Sequence, residues 1–172
     1  MASIGHVAVG MALGRRYTGR ARGGLVPLAL LGALALLPDA DVVAFRLGIP
    51  YAAPWGHRGA SHSLALAALL GLLAALLVRL LRAPGAARAG LFTFVAVASH
   101  GLLDTLTDGG LGAALLWPAS NARFFAPLRP LPVAPIGAGM LSARGLYVLL
   151  VETLLFLPFF LYALWPRRSR AA

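Results

Sequence analysis

Hydrophobic positions along this chain come in long unbroken runs. Residues 25–37 (LVPLALLGALALL), 63–78 (SLALAALLGLLAALLV), 89–103 (AGLFTFVAVASHGLL) and 146–165 (LYVLLVETLLFLPFFLYALW) carry almost no charge. A hydrocarbon core of about 30 Å takes about 20 helical residues, so each run predicts a span with modest extension at its ends. No alternating pattern suggests a barrel, and open sheet edges cannot sit in lipid, so the spans are expected to be helical. The predicted segments are 2–16, 23–41, 62–81, 89–108 and 145–165, the first too short to cross comfortably and so partly inserted. The expected fold is all-α: one integral-membrane domain, a polytopic bundle of four to five transmembrane or partly inserted helices.

The stretch 109–144 is too rich in proline for a helix and too apolar for a free linker. It predicts a long interfacial loop, with Trp117, Phe124 and Phe125 at headgroup depth and Arg123 and Arg129 near lipid phosphates, acting as an anchor or as a lid.

Composition agrees with a membrane protein: 60% of residues are hydrophobic, 12% are charged, and mean hydropathy is +0.84. All fifteen basic residues are Arg. They cluster beside the apolar runs, as topology-setting residues do, which argues against nucleic-acid binding. With the segments alternating between two sides, Arg15, Arg16, Arg20, Arg22, Arg79, Arg82, Arg88, Arg167, Arg168 and Arg170 fall on one side. Arg46, Arg58, Arg123, Arg129 and Arg144 fall on the other. The first side is then cytoplasmic. There is no Cys, hence neither a disulfide framework nor a thiolate metal site. A cleaved signal peptide is not expected, because the first sixteen residues lack a leading positive segment.

The chain has only five acids and four histidines, and the predicted topology gathers most of them at the non-cytoplasmic end. Ionisable groups in a membrane normally face partners or a water-filled cavity, since each costs about 2.5–3.5 kcal/mol to insert. His100, Asp104 and Asp108 are spaced by four and predict one helical stripe, ended by Gly109 and Gly110. Asp39 and Asp41 follow Pro38; an Asx turn or helix cap is the alternative reading. His57 and His62 surround a Gly-Ala-Ser turn, with Ser61 or Ser63 able to cap the next helix. His6, Gly10 and Gly14 repeat the four-residue spacing, and Gly10 with Gly14 forms a close-packing face that would deliver His6 into the bundle.

His6, Asp39, Asp41, His57, His62, His100, Asp104 and Asp108 are therefore the candidate metal ligands. Mixed His and carboxylate sets suit zinc, with manganese or iron as alternatives, and so many ligands predict two divalent ions. One carboxylate, such as Asp41, would be left as a base. Arg58 could stabilise developing negative charge or hold an anionic substrate group. Glu152 sits alone in an apolar segment as a further candidate catalytic or ion-paired acid.

These motifs in order are His6 with Gly10; Pro38-Asp39-x-Asp41; His57-Arg58 through His62-Ser63; His100-x-x-x-Asp104 followed by Thr107; and Trp117-Pro118. Together they resemble the YdjM-like family of inner-membrane proteins. The resemblance implies a small multi-span protein of the bacterial inner membrane with metal-dependent hydrolase activity and an undefined substrate. It supports His6, Asp39, Asp41, His57, His62, His100 and Asp104 as the polar constellation; Asp108 and Glu152 rest on spacing alone. A more distant similarity, at the level of fold analogy, is to zinc-dependent bacterial phospholipase C. The leading expectation is hydrolysis of an ester or phosphoester of a lipid or lipid-linked substrate. The alternatives are a metal-binding or transport protein, and a structural membrane protein without catalysis.

Overall fold

A computed structural model of the chain describes residues 4–19 and 24–166. The expectations for Arg20, Arg22, Arg167, Arg168 and Arg170, and the outer ends of the first two predicted segments, lie outside these residues.

The architecture is helical. Its elements are α1 (Ile4–Thr18), α2 (Leu25–Leu36) continued by a 3-10 turn (Leu37–Val42) and the short α3 (Val43–Arg46), a 3-10 turn at Ala60–His62, α4 (Leu64–Leu80), α5 (Ala86–Thr105), a 3-10 turn at Gly137–Leu141, and α6 (Ala143–Leu164). Among the described residues, three stretches are long and apolar enough to cross a membrane: Leu25–Arg46, Ala86–Thr105 and Ala143–Leu164. The apolar α4, at 17 residues, is shorter.

Of the boundaries that differ from the sequence expectation, two matter to the site. The second helix does not stop near residue 41; proline breaks the regular ladder at Pro38, and the chain tightens into a 3-10 turn before resuming as α3. The fifth helix ends at Thr105 rather than at residue 108. There Thr107 Oγ1 donates to the Asp104 carbonyl, and Leu131 of the long loop pairs with the backbone of Leu106 and Asp108.

Packing depends on small residues. α1 lies against both α2 and α6, α2 touches α5, and α5 packs along α4. A β-carbon placed on Gly10 would collide with the carbonyl of Leu31, and one on Gly14 with the carbonyl of Pro27. The GxxxG face thus brings the α1 and α2 backbones into contact, as the spacing predicts. Outward positions such as Leu72, Leu77, Leu150 and Leu161 are more than half exposed, which suits a lipid-facing surface. The largest fully buried side chains are instead Arg58, His6, His57, His100 and Glu152.

Overpacking at a backbone contact typically costs about 1–3 kcal/mol. Gly10→Ala is expected to lower thermal stability in detergent by about that amount. Gly24→Ala, where an added methyl meets nothing within 4 Å, is expected to stay within about 0.5 kcal/mol. Equal melting curves for the two variants would contradict the α1–α2 contact.

Candidate metal centre

Four segments meet at one end of the bundle, and each contributes through its local geometry. A 3-10 turn advances about 120° per residue, so Asp39 and Asp41, two residues apart, point to different faces. Asp39 faces α5, and Asp41 faces the loop that carries His57 and His62. On α5, His100 and Asp104 lie one turn apart on the same face, and both are fully buried. His62 reaches them because residue 101 is glycine: a β-carbon there would collide with the His62 carbonyl. Ser63 caps α4 by accepting from the Leu66 amide, which leaves Ser61 free to donate to Asp41.

The result is a buried group of four donors, Asp39, His62, His100 and Asp104, with ligand atoms within 4.8 Å of one another. The Nε2 atoms of His62 and His100 are 3.1 Å apart. His62 Nε2 stands 3.2 Å from Asp104 Oδ2 and 3.6 Å from Asp39 Oδ1. His100 Nε2 stands 3.3 Å from Asp39 Oδ1 and 3.9 Å from Asp104 Oδ2. Four ligands arranged tetrahedrally at zinc bond lengths of about 2.0–2.1 Å lie about 3.3–3.4 Å from each other. The observed spacings bracket that value.

Hydrogen bonding around the group favours the same reading. His100 Nδ1 lies 2.7 Å from the Ala35 carbonyl, so that nitrogen carries the proton and Nε2 turns a lone pair inward. His62 Nδ1 donates toward Ser61 Oγ at 2.9 Å and Asp41 Oδ2 at 3.2 Å. Both oxygens of Asp39 are buried without a hydrogen-bond donor, which is costly unless a cation compensates.

The charge balance points the same way. Asp39, Asp41 and Asp104 converge here, and the buried guanidinium among them belongs to Arg58. With neutral histidines, two negative charges remain, the complement of a divalent cation. Burial disfavours charging His62, but without a cation the facing Asp104, Asp39 and Asp41 carboxylates outweigh it, and its pKa is pushed up to about 10. Since Nδ1 already donates, the added proton belongs on Nε2, the position a cation would take.

Arg58 is held behind this group. Its Nε lies 2.9 Å from Asp104 Oδ2, and its other donors go to Asp104 Oδ1, Thr107 Oγ1 and the Gly109 carbonyl. The residue adopts φ = 60°, an unfavourable value for a side chain. Its backbone is fixed on both sides, donating to Asp41 and accepting from Ala114. Through these contacts the buried guanidinium positions Asp104.

The remaining sequence candidates divide. His57 is buried, with Nδ1 2.6 Å from Asp41 Oδ1. His6 stacks on His100 at 3.8 Å between ring centroids, and its Nε2 lies 3.6 Å from Asp104 Oδ1. Asp108 stands apart, because the helix ends before it; its carboxylate is half-exposed and accepts from the Val133 amide. Glu152 is also outside the group. It accepts from the Ile4 and Gly5 amides, placing a negative charge at the N-terminus of α1, just before His6.

In the long loop, Arg123 is not turned to lipid phosphates. It donates to the carbonyls of His57, Tyr51 and Ala53, tying residues 109–126 over the histidine loop. Gly101, Ser61 and the Ala35 carbonyl are the site contributors that sequence reasoning missed. For Gly101 a signal existed, a residue without a side chain directly after His100.

A model of the YdjM inner membrane protein family matches residues 1–169. The inner membrane protein YbcI of Escherichia coli (strain K12) is 42% identical over 135 residues, covering 77% of this chain and 76% of that protein. No solved structure matches the chain.

Removing one partner of a buried ion pair typically costs about 3–5 kcal/mol. Arg58→Ala is expected to destabilise the protein by that order in detergent unfolding, whereas Arg129→Ala, which loses a surface stack on Phe125, should change little. Equal effects would contradict the role given to Arg58.

Proposed function

The chain belongs to the YdjM family of inner membrane proteins, and we propose that it is a metal-dependent hydrolase of that membrane. The observation that carries the proposal is the buried Asp39, His62, His100 and Asp104 group, whose donors match a tetrahedral nitrogen-oxygen site in type and spacing. Zinc is the ion this set suits best, with manganese or iron as alternatives.

One ion accounts for the gathered donors. The neighbouring Asp41, His57 and His62 group is committed otherwise, since both histidines turn Nδ1 to Asp41. His6 Nε2 and Asp104 Oδ1 would offer two ligands to a second ion. A bound cation supplies a Lewis acid for the scissile group and acidifies water toward neutral pH. Among the protein groups, Asp39 keeps Oδ2 without a donor, which places a proton acceptor beside the cation. Arg58 and Thr107 hold Asp104 in place, and Arg123 pins the long loop over the histidine segment.

The substrate class proposed is an ester or phosphoester of a lipid or lipid-linked molecule. The group sits at one end of the spanning helices, and the segments that carry it also bear exposed Leu47, Trp55 and Leu116, a setting for an amphiphile rather than a freely diffusing polar solute. Arg79, Arg82 and Arg88 lie at the opposite end of α4 and α5, which by the positive-inside rule supports a site on the non-cytoplasmic side. Transport is disfavoured by depth: the described acids and histidines, apart from Glu152, lie at this one end.

Protein purified without chelators should retain a divalent metal and hydrolyse a fluorogenic phosphoester lipid. His100→Ala and Asp39→Ala should lose at least tenfold in both while remaining folded. Hydrolysis unchanged by metal removal, or metal absent from the wild type, would contradict the reading. Reporter fusions should place residue 50 outside and residue 85 inside; the reverse result would move the site to the cytoplasmic face.

A further inference from the structure

We infer that Asp41 is neither a metal ligand nor the base but a positioning residue, the carboxylate that fixes His62 for binding the cation. The inference rests on the metal reading above and adds a role for a residue whose type alone would make it a ligand.

Four donor groups converge on the Asp41 carboxylate, three on Oδ2 and one on Oδ1. His57 Nδ1 lies 2.6 Å from Oδ1. The Arg58 amide donates to Oδ2 at 3.0 Å, the Ser61 hydroxyl donates to the same oxygen, and His62 Nδ1 lies 3.2 Å from it. A carboxylate offers about four lone-pair sites. Asp39 is the opposite case, with both oxygens buried and no hydrogen-bond donor on either. The two acids of Pro-Asp-x-Asp thus have divided roles: one is open to a cation, the other closed by protein donors.

What Asp41 does follows from which nitrogens it engages. An imidazole with a donor at Nδ1 must present Nε2 as its lone pair when neutral. Asp41 and Ser61 together draw the His62 proton to Nδ1, which leaves Nε2 facing His100 and Asp104. By also holding the Arg58 amide, Asp41 keeps the left-handed residue 58 in place, and with it the guanidinium that braces Asp104. One carboxylate therefore orients two members of the set, His62 directly and Asp104 through Arg58. Partners of this kind usually contribute 10–100-fold to metal affinity without entering the coordination sphere.

The test is titration of the detergent-solubilised full chain with cobalt(II) and with buffered zinc, for wild type, Asp41→Asn and His100→Ala. Wild type is expected to bind with a tetrahedral cobalt spectrum, and His100→Ala to lose it. Asp41→Asn is expected to keep the shape and intensity of that spectrum while binding about 10–100-fold more weakly. A changed spectrum would make Asp41 a ligand, and unchanged affinity would leave it no positioning role; either overturns the inference while the metal reading stands. Failure of the wild type to bind would overturn the metal reading itself. Should Asp41→Asn not fold, nitrogen NMR of the zinc-loaded wild type decides the matter. His62 should show a protonated Nδ1 and a metal-bound Nε2, and the opposite assignment would overturn the inference.

Discussion

Three carboxylates meet inside a bundle whose outer surface is apolar, and the rest of the structure is arranged around that concentration of negative charge. In low dielectric a lone carboxylate is neutralised or paired. Here Asp104 is paired with Arg58, Asp41 is closed by four donors, and Asp39 is left open. The open position lies where two imidazoles present their lone pairs. A divalent cation would complete this arrangement in charge and in number of ligands.

The helical framework follows from that requirement. Helices that bury large polar side chains need close backbone approach elsewhere, and glycine provides it. Gly10 and Gly14 bring α1 to α2, and Gly101 seats the His62 turn on α5. Glu152, deep in α6, closes the start of α1 and so fixes the helix that carries His6. The leucine-rich outer faces of α4 and α6 suit the bundle to the membrane, while the polar side chains gather in its interior.

Much of this was legible in the sequence because it rests on local periodicity. The apolar runs placed the helices, and the four-residue spacing of His100 and Asp104 put both on one face. What was not legible depends on contacts between distant residues. Asp108 continues the spacing by four, yet the helix ends at Thr105, where Thr107 and Leu131 cap it. Asp39 and Asp41 look alike in sequence, and only the 3-10 turn after Pro38 sends them to different partners. Glu152 meets amides nearly 150 residues away, and Arg123 reaches backbone carbonyls that no sequence pattern announces.

The account stands on one claim, that Asp39, His62, His100 and Asp104 together hold a divalent cation. X-ray absorption at the zinc edge of the metal-loaded full chain tests it most directly. The account predicts a four-coordinate shell of nitrogen and oxygen at about 2.0–2.1 Å, with the outer scattering of two imidazoles. A six-coordinate all-oxygen shell without imidazole scattering would contradict it.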